Sequence, residues 1–200
     1  MFQLPFPLRD INASSGDKNL GDLPEWDLTD LYTSPEAPEL QADLEWLEQE
    51  CAAFAADYEG KLADLDAAGL LSCVLRNEKI STKAGRVMSF AGLRYYQLTV
   101  DADRAKFMSD CQEAITNFTT PLVFFTLELN RIDDDKLTAM LAENADLARY
   151  KPVFDRIRAM KPYQLSDELE KFLHDLSVTG DAWEKLFDET IAGLSFDVDG

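Results

Sequence analysis

A single imidazole bounds the chemistry available to this chain. His174 is the only histidine among 200 residues. A zinc peptidase of the H-E-x-x-H type needs two imidazoles one helical turn apart, with the glutamate between them handling the attacking water. One histidine cannot build that site within one chain. As a general base, His174 would need a serine or cysteine nucleophile motif beside it, and the sequence holds none. Its neighbours Glu170 and Asp175 predict a histidine on a helix surface beside carboxylates. No catalytic, cofactor-binding or metal-ligating residue is therefore assigned here. The chain by itself is expected to bind no zinc and to cleave nothing.

The other chemically capable residues read as structural. Cys51, Cys73 and Cys111 form no C-x-x-C pair and are too few for a disulfide framework. They suit a reducing compartment, where cysteine serves as a small apolar residue. Asp133-Asp134-Asp135 lacks the alternating spacing and distal glutamate of a calcium loop, so helix capping accounts for it better. Gly85, Gly92 and Gly180 are isolated, which argues against a phosphate cradle. In Tyr95-Tyr96 and Phe124-Phe125, one ring of each pair is expected in the core, leaving the other free to line a groove.

Composition narrows the partners. Thirty-eight Asp and Glu face 19 Lys and Arg, a formal charge of −19. Nucleic-acid binding needs clustered cations, and an anionic membrane surface would repel such a chain. No stretch approaches the roughly 20 apolar residues of a membrane span. The leader MFQLPFPLRD lacks a basic n-region and a cleavage site. These features predict a cytoplasmic protein. Hydrophobic residues make up 46% of the chain, with 12 Phe and 3 Trp, so a core can form; 9 Gly and 8 Pro are too few for a fold of many short strands.

Periodicity then predicts an all-α fold of long antiparallel amphipathic helices. Residues 1–22 are expected to be a flexible leader and 23–193 a helical lobe. Trp26, Leu28, Leu31 and Tyr32 read as an irregular arm docking its aromatics. Ser34-Pro35-Glu36 predicts a helix start. From there Leu40, Leu44, Leu47, Cys51, Phe54, Tyr58, Leu62 and Leu65 form one apolar stripe over about seven turns, weakened but not broken at Gly60. A second helix spans about 67–97. Asp101 caps a third, carrying Phe107, Cys111, Ile115, Phe118, Leu122, Phe125, Leu129 and Ile132 inward and kinked at Pro121. Asp133 opens a shorter helix, and Tyr150 to Met160 forms another. Ser166 starts the next, with Leu169, Phe172, Leu173 and Leu176 inside, ending at Gly180. Asp181 caps a last helix bearing Trp183, Phe187 and Ile191, with Gly193 as its C-cap. Over 194–200, Leu194, Phe196 and Val198 alternate with polar residues ahead of Asp199-Gly200, which predicts the first strand of a hairpin continued beyond this chain.

Several of these segments carry a resemblance. The run Leu23-Pro24-Glu25-Trp26-Asp27-Leu28-Thr29-Asp30-Leu31-Tyr32 ahead of a long acidic helix resembles the opening of oligoendopeptidase F, a branch of the thimet-oligopeptidase-like zinc metallopeptidases. The likeness continues through Gly85-Arg86-Val87-Met88-Ser89-Phe90-Ala91, Tyr150-Lys151-Pro152, Lys161-Pro162-Tyr163-Gln164-Leu165-Ser166, Leu169-Glu170-Lys171 and Thr179-Gly180-Asp181-Ala182-Trp183. It covers about 23–200. The resemblance implies the N-terminal helices of an elongated enzyme whose channel admits oligopeptides. It also implies zinc in the intact enzyme, bound by a motif downstream of these residues. The implied partners are the C-terminal catalytic half of the same enzyme and oligopeptide substrates, with no nucleic acid and no membrane. The competing reading is a non-enzymatic helical adaptor that binds partners through an apolar groove. A separated lobe should show a large apolar patch where its other half belongs.

Overall fold

The computed structural model describes residues 26–194. Among them the regular structure is entirely helical: α1 (Pro38–Tyr58), α2 (Ala67–Gln97), α3 (Ala102–Thr119), α4 (Val123–Arg131), α5 (Asp134–Glu143), α6 (Ala145–Ala148), α7 (Lys151–Ala159) and α8 (Asp167–Ala192). Short 3-10 turns at Leu62–Asp64, Thr120–Leu122 and Lys161–Tyr163 punctuate them. The expected leader and residues 195–200 of the expected strand lie outside the described residues; Leu194 itself has no regular structure.

Helix starts follow the capping chemistry. Asp66 accepts from the Gly69 N–H, Asp101 from Asp103 and Arg104, and Asp133 from Asp135 and Lys136. Ser34 turned out not to cap α1. It accepts from the Glu36 N–H within the preceding turn, and α1 begins at Pro38, where the missing proline N–H costs nothing.

Three expectations about helix limits needed correction. The stripe from Leu40 to Leu65 is not one helix. α1 ends at Tyr58, and Gly60 adopts φ +79°, a left-handed conformation open to glycine at little cost. Leu62 is still fully buried, but from a 3-10 turn. At Pro121 the chain does not merely kink. α3 ends, a 3-10 turn holds the proline in its first positions, and α4 restarts. Gly180 does not end a helix, and Asp181 caps nothing, because α8 runs through both.

The core lies between α1, α2 and α3 and the shorter helices. Leu47, Phe54, Leu62, Leu70, Phe90, Leu129, Leu147 and Phe154 are buried within it. Phe54 lies tilted against Tyr58 at 4.9 Å and meets Phe124 and Phe125 at 5.8 and 6.0 Å. The aromatic arm docks only in part. Tyr32 is buried, Leu28 and Leu31 pack against the core, but Trp26 is 70% exposed.

One polar cluster lies inside. Asp43, 8% exposed, accepts from the Tyr32 hydroxyl at 2.8 Å and pairs with Lys83 and, at 3.5 Å, Arg86. The Arg86 guanidinium lies 4.3 Å over the Tyr32 ring and donates to the Leu31 carbonyl. This cluster fastens the W-D-L-T-D-L-Y arm to α1 and α2.

Candidate interaction face and groove

Helix α8 reverses the usual amphipathic arrangement. Its bonds to the body are polar. The His174 Nε2 lies 3.2 Å from Thr119 Oγ1 and 3.3 Å from the Thr116 carbonyl. Thr120 donates to Asp175 at 2.6 Å, Gln112 donates to Asp181, and Lys185 donates to the Ala105 carbonyl and to Ser109 Oγ at 2.7 and 2.6 Å. Arg131 pairs with Asp167, and Lys171 lies 3.6 Å from Glu59.

The apolar residues are what the helix presents to solvent. No residue of α8 is buried. Leu169, Phe172, Leu173 and Leu176, expected inside, are all exposed, as are Trp183, Leu186, Phe187 and Ile191. Hydrating an apolar face of this extent carries a free-energy cost. Sequence periodicity located the stripe correctly. What it lacked was the direction in which the stripe points, because the neighbouring helices α3 and α4 fix that through threonine, glutamine and arginine side chains.

Beside α8 the surface is concave. A cavity of about 550 Å³ lies over α2, α4 and α8, lined by Ile80, Phe125, Glu170 and His174 among others. A second, of about 290 Å³, lies between α4, α7 and the turn at Lys161–Tyr163, lined by Asn130, Ile157, Met160 and Gln164 among others. The two share Thr126 and Glu170. Asn130, 5% exposed, donates from Nδ2 to Gln164 Oε1 at 3.3 Å, while its own Oδ1 has no partner. Sequence reasoning missed Asn130. A lone asparagine in the run E-L-N-R carries no signal for burial until α7 closes over it.

The sequence-selected residues do not converge. His174 is half-buried against the end of α3, and Glu170 lines the same cavity. The three cysteines are free and buried. Burial pushes their thiols up to about 11, 12 and 11 for Cys51, Cys73 and Cys111, which keeps them protonated and unreactive. Of the paired aromatics, Tyr95 is buried and Tyr96 exposed, whereas Phe124 and Phe125 are both buried, Phe125 at the floor of the larger cavity. Among the described residues no group of three or more His, Cys, Asp or Glu gathers where a metal ion would sit. The donors present therefore do not fit zinc. No described helix is long and apolar enough to cross a membrane.

An all-helical lobe with an exposed apolar face and an adjoining trough is the class these observations define. The family model described as Oligopeptidase F matches residues 128–196, from α4 to just past α8. Oligoendopeptidase F (plasmid) of Lactococcus lactis subsp. cremoris is 27% identical over 159 residues, which is 78% of this chain and 26% of that protein. Oligopeptidase PepF of Bacillus subtilis is 27% identical over 154 residues, 76% of this chain and 22% of that protein. The crystal structure of oligoendopeptidase-F from Enterococcus faecium superposes with a TM-score of 0.64 at 20% identity, covering 81% of this chain and 30% of that one, and shows the shared fold. By these comparisons the chain is similar to an N-terminal region of oligoendopeptidase F proteins. It spans about a quarter of the length of the curated relatives it matches.

Proposed function

We propose that this chain is the helical N-terminal lobe of a zinc-dependent oligoendopeptidase. The whole protein hydrolyses short peptides in the cytoplasm, and this lobe shapes access to its substrate channel. Its partner is the C-terminal catalytic half of the same polypeptide, which covers the apolar face of α8. That face is the observation that carries the reading: it lies within the segment matched by the family model and presents Phe172, Trp183 and Phe187 to solvent. An antiparallel packing of the lobe is supported by the order of its contacts. Asp43 of α1 meets Lys83 of α2 while Glu50 meets Arg76, and Gln112 of α3 meets Asp181 of α8 while Thr119 meets His174. Protonated, unpaired thiols at all three cysteines suit a reducing compartment.

Among the described residues no donor set fits the metal, so no step of hydrolysis is assigned to them. Their part is to bind, to orient and to exclude. The test compares two proteins: the 200-residue chain and the longer gene product. The longer product is expected to hydrolyse oligopeptides and to lose that activity to a chelator, while the chain alone does neither. In the longer product Trp183 should be shielded from an aqueous quencher that reaches it freely in the chain alone. Stoichiometric zinc with peptide hydrolysis by the 200-residue chain overturns the reading. A longer product without hydrolysis establishes the adaptor instead.

A further inference from the structure

The last turns of α8 run against the electrostatics of a helix. A helix C-terminus carries partial negative charge and favours cations, yet Glu184, Asp188 and Glu189 gather there and the last turn holds no basic residue. Both lysines of α8 are engaged on the side of the body. Lys171 lies 3.6 Å from Glu59, and Lys185 donates to the Ala105 carbonyl and to Ser109 Oγ, with Glu189 at 3.9 Å. Glu184 and Asp188 take part in no ion pair among the described residues.

These two carboxylates border an open hollow of about 450 Å³, lined by Trp183, Glu184, Phe187 and Asp188. Residues four apart on a helix stand one above the other, so Trp183 and Phe187 form one row and Glu184 and Asp188 the adjoining one. The two rings are 70% and 64% exposed. Both rows call for the same kind of group. Unpaired carboxylates attract a cation, and the negative helix end adds to that field. The faces of indole and phenyl rings attract a cation as well, and they give a planar group a surface to stack on. A purely apolar partner would cover the rings and leave two carboxylates without solvent or counter-charge. An ammonium group would meet the carboxylates but is compact and strongly hydrated. A guanidinium is planar, weakly hydrated and able to bridge carboxylates, so it satisfies both rows at once.

We propose that the hollow at Trp183, Glu184, Phe187 and Asp188 seats an arginine carried by the C-terminal remainder of the same polypeptide, on a segment whose apolar residues lie along the exposed side chains of α8. The matched stretch is only 26% and 22% of two curated relatives, so most of each relative lies outside it, and the hollow falls within residues 128–196 matched by the family model. A lobe of net charge −19 is complemented by a cationic partner. Tryptophan and arginine are also the residues on which interface affinity concentrates. The proposal rests on the reading that the remainder covers α8, and it adds the charge and the chemical group that the remainder presents there. The four residues are binding residues; none is catalytic.

The experiment uses the longer gene product. A photoreactive benzophenone side chain replaces Phe187, and the cross-linked peptide is identified by mass spectrometry. It is expected to lie beyond residue 200 of the same polypeptide and to contain an arginine flanked by apolar residues. Hydroxyl-radical footprinting then reads Trp183, whose oxidation should be several-fold slower in the longer product than in the 200-residue chain. Glu184→Gln combined with Asp188→Asn should raise that oxidation several-fold in the longer product. In the 200-residue chain the same pair should leave the melting temperature unchanged or raise it, because it removes like charge from the helix end. Glu184→Asp combined with Asp188→Glu should keep Trp183 shielded. A cross-link to a peptide without arginine, to a second copy or to another polypeptide overturns the seat. Trp183 shielded but indifferent to the neutralising pair refutes the seat and leaves the covering of α8 in place. Trp183 oxidised equally fast in both proteins removes the covering and the seat together. Hydrolysis by the longer product is scored separately and bears on the peptidase reading alone.

Discussion

Glu128 of α4 accepts from the backbone N–H of Gly60 at 2.6 Å with one carboxylate oxygen and from that of Leu62 at 3.2 Å with the other. Glu128 and Gly60 lie 68 positions apart, and their contact holds the turn that ends α1. Without it, the half-buried N–H of Leu62 would lose its acceptor and that of Gly60 would turn to water.

Replacing Glu128 by Ala is expected to cost about 1–3 kcal/mol, since both turn donors lose a charged acceptor. Glu128→Gln keeps one acceptor and should cost less. Gly60→Ala should cost about 1 kcal/mol through backbone strain alone, because nothing lies within 4 Å of an added Cβ. Urea unfolding of the three variants checks this order. A Gly60→Ala protein as stable as the parent would mean that the turn relaxes out of its left-handed conformation.

Asp43 sets an acid-dependent component of stability. Burial works to raise its pKa, but the hydrogen bonds from Lys83 and Tyr32 and the charges of Lys83 and Arg86 outweigh it and hold the carboxyl below its ordinary value. A carboxyl depressed in the folded state contributes stability in full above its unfolded pKa of about 3.9, and that contribution is lost as pH falls through the folded pKa. Melting temperature measured from pH 6 to pH 2 should therefore fall less steeply in Asp43→Asn than in the parent. A residual slope is expected from the more exposed Asp134 and Asp167, lowered by hydrogen bonds from Arg158 and Arg131. At pH 7, Asp43→Ala should cost about 2–3 kcal/mol, toward the lower end for a broken buried pair because the Lys83 side chain keeps 29% exposure.

Gly180 lies inside α8 with open space around an added Cβ. Gly180→Ala is expected to stabilise the chain by about 0.5–1 kcal/mol, since alanine gives up less backbone entropy in a helix. Thermal unfolding monitored at α8 checks it. A loss of stability would show that the helix needs to bend there.

The buried thiols predict slow chemistry. With pKa values pushed up to about 11 or 12 by desolvation, Cys51, Cys73 and Cys111 should react with a disulfide reagent at pH 8 only through unfolding. All three should titrate at once in denaturant. Fast reaction of any one under native conditions would reveal a local opening near that residue.

The sequence by itself determined that the chain is helical and where α2, α3, α5, α7 and α8 begin. Asp66, Asp101 and Asp133 cap where their side chains can reach N–H groups two or three residues ahead, and that reach is a local property. Period 3.6 marked the apolar stripes of α2, α3 and α8 for the same reason, and the lone imidazole of His174 bounded the chemistry by count alone. Tertiary structure decided the rest. The stripe through Gly60 reads as one helix until Glu128, far along the chain, fastens a turn across it. The outward aim of Phe172 and Trp183 depends on polar partners supplied by α3 and α4 to the opposite side of α8. The orphaned amide of Asn130 exists only once α7 and Gln164 shut it from water. Caps and periods act over one helical turn and are written in neighbouring letters, whereas burial and orientation arise from contacts between distant segments, which no local pattern encodes.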